Sequence, residues 1–231
     1  MSKTAYTRAC HIAVDKVLAA LNADFLENAQ CFFGGGTRIV LELGEYRESA
    51  DIDFLCSDRN GYRALRSTID SNSLGKIAST PLSMLRDVRA DQYGIRTVLN
   101  VDGEKLKFEI VNEARIDLSG VAIKRLHVPS LDKACCFAEK LLANDDRGMD
   151  ESVLYRDAVD LAFMVEAWGM ADLNEGAKRA RTAYGDRIDT SIRRSARLLL
   201  DNKAAFNKCV QGLRIAKQEI LLRGLRMLAE W

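Results

Sequence analysis

Two aspartates one residue apart, Asp51 and Asp53, lie inside an apolar run, and three glycines, Gly34 to Gly36, stand shortly before them in FFGGGTRIVLELGEYRESADIDFL. Side chains alternate along a strand, so an extended DIDFL turns both carboxylates to one face and Ile52 and Phe54 to a core. The two carboxylates would then be about 6–7 Å apart, within reach of one cation. Carboxylates this close disfavour joint ionisation unless a cation compensates. A hard cation such as Mg²⁺ takes one or two carboxylates together with substrate phosphates. The glycines suit the same chemistry, because backbone amides approach a phosphate closely where no Cβ intervenes. A helix starting near Thr37 would add its free N–H groups and dipole. A plain alternative stands beside each feature: a tight strand–helix turn for the glycines, and a solvated strand face for the acids.

A site with two metal ions needs a third acid. In KLKFEIV, Leu106, Phe108 and Ile110 alternate with Lys107, Glu109 and Val111, so Glu109 repeats the pattern of Asp53. It is the expected third ligand, with a solvated Lys107/Glu109 pair as the competing reading. Asp102 belongs more naturally to a turn.

These residues need elements to hold them. Residues 4–28 read as one amphipathic helix with Ile12, Val14, Val17, Leu18 and Leu21 on a broad face. CFF reads as a strand running into the glycines, Thr37–Leu43 as a helix ended by Gly44, and DIDFLC as a second strand. RNGYRALRSTIDSN reads as a loop and a helix. YGIRTVLNV and KLKFEIV flank Asp102–Gly103, a strong hairpin signal. From Ser130 onward the pattern is helical, and the only prolines are Pro81 and Pro129. The expected architecture is α+β: a small mixed sheet with helices over residues 1–128, then an all-helical domain over residues 129–231.

A chain of 231 residues with 48% hydrophobic and 29% charged residues can bury a sizeable core. The net charge of +1 points to no partner. Its distribution is more telling: from Ala171 onward 13 Lys and Arg face 7 Asp and Glu, and the remainder carries 21 against 26. Such asymmetry suits a metal at one end and a polyanion at the other, or it is chance. Six cysteines without C-x-x-C spacing and only two histidines disfavour a zinc site. No signal core or membrane-length apolar run is evident, so the expected setting is a reducing cytoplasm with no membrane partner.

Gly-Gly-Thr, a short helix, then Arg-x-Ser-x-Asp-Ile-Asp-Phe resembles the DNA polymerase β-type nucleotidyltransferase superfamily, and within it the AbiEii toxins of type IV toxin–antitoxin systems. Gly35, Gly36, Thr37, Arg47, Ser49, Asp51, Asp53 and Phe54 carry the resemblance, with SLDKACCFAEKLLANDDR and YRDAVDLAFMV behind them. It covers roughly residues 30–165. The resemblance implies that Asp51 and Asp53 bind Mg²⁺ and a nucleoside triphosphate (NTP). It implies that Gly35, Gly36, Thr37 and Ser49 line the phosphate site, and that Lys140 reaches the β- and γ-phosphates. Asp157 would be a further polar residue of the site, with Arg147 and Arg156 as contacts. Glu109 replaces the aspartate common on the third strand and is one methylene longer. The implied reaction is Mg²⁺-dependent transfer of NMP, with catalytic residues Asp51, Asp53, Glu109, Lys140 and Asp157. The implied acceptor is RNA, particularly a tRNA 3′ end, or a protein, and the implied regulatory partner is a cognate antitoxin. A small-molecule nucleotidyltransferase and a silent nucleotide- or RNA-binding module are the alternatives.

Two helical features remain. Arg156, Asp157 and Asp160 could form a structural ion-pair network, and Asp160 needs a partner if buried. In DRIDTSIRRSARLLLDNK, Ile188, Ile192, Ala196 and Leu199 form one side, while Arg187, Arg193, Arg194 and Arg197 fall within an arc of about 120° opposite. That stripe suits an RNA backbone or an ordinary solvated face.

Overall fold

The computed structural model describes residues 6–231. The first residues of the helix expected over 4–28 therefore lie outside the described residues. The rest divides into α1 (Ala9–Ala20) and α2 (Ala23–Asn28). The break has two causes, one distant in sequence and one local. Leu21 makes a β-bridge to Ala78, and the Asn22 side chain caps α2 by accepting from the Phe25 N–H at 3.1 Å.

The strands are β1 (Cys31–Phe33), β2 (Ile52–Cys56), β3 (Arg89–Ala90), β4 (Gly94–Val101), β5 (Glu104–Asn112), β6 (Gly120–Ala122) and β7 (Pro129–Leu131). They form one mixed sheet in the order β3-β4-β5-β2-β1-β7-β6. Between β1 and β2 lies α3 (Gly35–Glu42), and α4 (Arg59–Arg66) follows β2. The β4–β5 hairpin turns on Asp102 and Gly103, whose φ angles of 53° and 88° are the left-handed pair of a tight two-residue turn. Val14, Val17 and Leu18 of α1 are buried with Phe33, Phe54, Leu99, Leu106 and Phe108 in the core beneath the sheet. Each such side chain contributes about 1.5–3 kcal/mol of burial.

The helices after β7 are α5 (Lys133–Arg147), α6 (Arg156–Trp168), α7 (Met170–Tyr184), α8 (Arg187–Asp201), α9 (Lys203–Gly212) and α10 (Gln218–Glu230). Ile188, Ile192, Ala196 and Leu199 are all buried, as the amphipathic pattern of α8 requires. The helix expected to start in SVLYRDAV begins only at Arg156, because Leu154 and Tyr155 adopt left-handed backbone with φ of 55° and 54°.

The chain separates into two compact units, and their boundary differs from the expected 128/129 division. The sheet unit takes the residues up to Leu41 together with Ser49–Asp132, and the helical unit takes Glu42–Glu48 together with Lys133–Trp231. Residues 129–131 form β7, which pairs with both β1 and β6, so they stay with the sheet. All six cysteines are free and buried, consistent with their use as small apolar residues. Among the described residues no helix is long and apolar enough to cross a membrane.

Candidate active site

In the sheet unit, β1 and β2 are antiparallel neighbours, and the Gly34 N–H donates to the Asp53 carbonyl at 2.8 Å. The next residue, Gly35, opens α3 with φ of +66°. A Cβ there would stand 2.4 Å from Asp53 Oδ2, so the carboxylate leans over the glycine and only glycine fits. The helix starts two residues earlier than the sequence suggested. Gly35, Gly36 and Thr37 are thus its first turn, where N–H groups have no partner within the helix. Gly34 serves packing instead. A Cβ there would meet Leu55 and Leu131 side chains at 2.4 and 2.8 Å, so this glycine lets β2 and β7 close over β1.

Thr37 Oγ1 and Ser49 Oγ hydrogen-bond at 2.8 Å, and the Ser49 N–H donates to His11 Nε2 at 3.3 Å. An accepting Nε2 means a neutral imidazole with its proton on Nδ1. These contacts fix the chain just before Asp51, which precedes the first residue of β2.

The parallel pairing of β2 with β5 sets Asp53 directly opposite Glu109. Paired residues share a face, so Asp53 and Glu109 point together, while Phe54 and Phe108 pack below with ring centroids 5.9 Å apart. Glu109 is not paired with Lys107. Its carboxylate accepts from Arg96 Nε at 2.6 Å, and Arg96 lies directly opposite on β4. Arg96 also approaches Asp91 at 3.4 Å, and the Glu109 carboxylate holds its guanidinium above the usual arginine range. Among the described residues no three His, Cys, Asp or Glu side chains gather into a metal cage. Two acids on one face beside a helix N-terminus nevertheless match the donor set of Mg²⁺, which completes its shell with water and substrate phosphate.

In the helical unit, Lys140 and Asp157 come together at 2.8 Å, both buried. Lys140 Nζ also reaches Asp160 at 2.6 Å. Asp160 accepts from Arg47 Nε and Nη2 at 2.7 and 2.8 Å and from the Tyr46 hydroxyl at 2.6 Å. Arg147 Nε closes the cluster on Asp157 at 2.7 Å. The buried network expected around Asp157 and Asp160 is present, with Arg47, Lys140 and Arg147 as its cations, and no contact from Arg156 enters it. Tyr46 is further held by Phe163, stacked at 3.9 Å.

Burial alone would lower the Lys140 pKa, but Asp157 and Asp160 reverse that and leave it raised. Burial alone would raise both aspartates. Lys140 and Arg147 instead hold Asp157 well below the carboxylate range, and Arg47 and Lys140 lower Asp160. All five charges therefore persist at neutral pH. Three cations, Arg47, Lys140 and Arg147, share the two carboxylates of the cluster.

The arginine stripe of α8 is largely committed. Arg187 Nε donates to Asp145 at 2.5 Å. Arg193 and Arg197 donate to the Trp231 and Ala229 carbonyls at 3.2 and 3.3 Å, covering the end of α10.

The geometry can be set beside known proteins. The family model described as "Nucleotidyl transferase AbiEii toxin, Type IV TA system" matches residues 16–219. The chain belongs to this family and is a nucleotidyltransferase of the toxin–antitoxin class. Among solved structures, JHP933 from Helicobacter pylori is similar with a TM-score of 0.55 and 14% identity, over 97% of this chain and 94% of that one. A candidate nucleotidyltransferase from H. pylori is similar with a TM-score of 0.53 and 16% identity, over 95% of this chain and 93% of that one. At these identities the likeness shows the fold. No curated protein matches the chain.

Arg96 and Tyr46 are among the residues of these charge arrangements that sequence reading missed. Arg96 had a usable signal: across a two-residue turn at Asp102–Gly103, counting outward from the turn pairs residue 96 with residue 109. Tyr46 had none, since its partner Asp160 is distant in sequence.

Proposed function

We propose that this nucleotidyltransferase moves NMP from an NTP to an acceptor hydroxyl and releases pyrophosphate, with Asp51 and Asp53 holding Mg²⁺ and Glu109 as the third acid. The observation that carries the reading is the register: Asp53 lies opposite Glu109 and leans over Gly35 at the start of α3. The triphosphate lies against the first turn of α3, where Gly35 and Gly36 expose backbone and the free N–H groups and helix dipole receive its charge. Thr37 and Ser49 fix the chain entering Asp51 through their mutual hydrogen bond. Mg²⁺, when bound, supplies positive charge to the phosphate oxygens and lowers the pKa of a coordinated hydroxyl. The acceptor oxygen forms a bond to the α-phosphorus, the bond from that phosphorus to the leaving oxygen breaks, and the hydroxyl proton passes to water.

Lys140 contributes charge rather than proton transfer, because its carboxylate partners keep it protonated. Asp157 keeps Lys140 and Arg147 in place. The acceptor is RNA, with the tRNA 3′ end as the leading candidate and protein as the competitor. The family supplies a cognate antitoxin as regulator.

The test is incubation with each α-labelled NTP, Mg²⁺ and either total RNA or purified protein. Label entering RNA with the wild-type chain and lost with Asp53→Ala supports the reading. Label that enters neither macromolecule, with nucleotide still bound, overturns it.

A further inference from the structure

Four residues stand in one row across four adjacent strands. Asp53 on β2 is opposite Glu109 on β5, Glu109 is opposite Arg96 on β4, and Arg96 is opposite Arg89 on β3. At about 4.8 Å per strand the row spans about 14 Å. It runs from acid to base, away from the glycine turn. Directly opposed like charges such as Arg89 and Arg96 destabilise a sheet unless an anion accompanies them. Arg96 has Glu109 and Asp91, whereas Arg89 pairs with no carboxylate among the described residues. The basic end of the row opens into a cleft of about 530 Å³. Its charged lining is Arg86, Arg89, Arg96 and Lys107 against Asp87 and Glu109. Like Arg89, Arg86 and Lys107 make no ion pair among the described residues, in a chain whose other basic side chains are often paired.

We propose that this cleft binds a phosphate-bearing acceptor strand, its reacting hydroxyl at Glu109 and its phosphates on Arg86, Arg89 and Lys107. The direction of approach rests on the transfer reading above. In an in-line displacement the acceptor enters opposite the leaving group. With the triphosphate at the start of α3, beside β1, the opposite side is β5, β4 and β3. The surplus of cations favours a polyanion over a protein segment. Tyr93, 66% exposed in the turn joining β3 to β4, offers a ring for a base to stack on. The arginines of α8 are poorer candidates, being bound to Asp145 and to the carbonyls ending α10.

The experiment measures RNA binding apart from transfer. The full chain carrying Asp53→Ala is titrated with bulk tRNA and with a short fluorescein-labelled single-stranded RNA, with and without Arg89→Glu and Lys107→Glu. The charge reversals together weaken RNA binding by roughly tenfold or more and reduce the dependence of log K on log salt by about 1–2. The same reversals in the otherwise wild-type chain leave nucleotide affinity as it was. In the otherwise wild-type chain, the milder Arg89→Ala and Lys107→Ala raise the KM for RNA. Thermal melting of every variant identifies any that fail to fold. RNA affinity unchanged by the paired reversals overturns the proposal, as does a loss produced only by Arg193→Glu and Arg197→Glu. So does label found on protein alone. If the reversals abolish RNA binding while the wild-type chain transfers no nucleotide, the cleft stands and the transfer reading falls.

Discussion

Gly35 and Gly103 both hold left-handed backbone, yet they fail differently when given a side chain. At Gly35 the φ of +66° is compounded by Asp53 Oδ2, 2.4 Å from where a Cβ would stand. Gly35→Ala therefore costs about 1–2 kcal/mol in backbone strain and also displaces the carboxylate. A large fall in NMP transfer with only a modest fall in Tm is the expected result. At Gly103 the φ is +88° and a Cβ meets nothing within 4 Å. Gly103→Ala is expected to lose a similar 1–2 kcal/mol, measured by urea unfolding, and to leave transfer per folded molecule unchanged. Equal losses of activity in the two variants would remove the special standing given to Gly35.

At the level of elements, the hairpin decides what Glu109 meets. Its two-residue turn fixes the register, and the register puts Arg96 on Glu109. Arg96→Ala should leave the Glu109 carboxylate without its neighbouring guanidinium while nucleotide affinity is retained. The expected signature is a change in the Mg²⁺ concentration needed for half-maximal transfer; an unaltered requirement would show that the ion pair is incidental. This part of the molecule was legible in sequence. Alternation placed Asp53 and Glu109 on one face, as the register of β2 and β5 has them, and the turn residues announced the hairpin; Asp51, expected on that strand too, lies just before it. The break after Leu21 was less legible, because it depends on a bridge to Ala78, far along the chain. The strands β3, β6 and β7 were not singled out, since two or three residues carry no period and none of them, unlike CFF of β1, runs into a glycine turn. Lys140 illustrates the hardest case: its helical position was readable, but its choice of two buried carboxylates depends on α6 packing beside α5.

For the molecule as a whole, the buried cluster of the helical unit sets stability and its pH limits. Removing Asp160 strands Arg47 and part of Lys140, so Asp160→Ala should cost about 3–5 kcal/mol and lower Tm markedly. Asp157 and Asp160 have folded pKa values below their unfolded ones. Their contribution is complete above the unfolded value of about 3.9 and is lost as pH falls toward the folded values. Tm should hold from neutral pH down to about 5 as far as these groups are concerned, then drop below about 4. Asp157→Asn should make that acid limb shallower. Lys140 has the opposite sign: its contribution is complete below about 10.4 and fades as pH rises through its raised folded value.

Tyr46 and Arg47 reach Asp160 from a short segment encoded between the glycine turn and the Asp51/Asp53 pair. The helical unit is therefore discontinuous in the gene. A single crossover near codon 132 cannot exchange it for another, because the recombinant would bring its own counterparts of residues 46 and 47 to a foreign carboxylate. Residues 133–231 expressed alone would carry Asp160 without its arginine. Such fragments should gain order when a peptide spanning residues 42–48 is added in trans, which makes that segment a natural place to look for complementation between separately encoded halves.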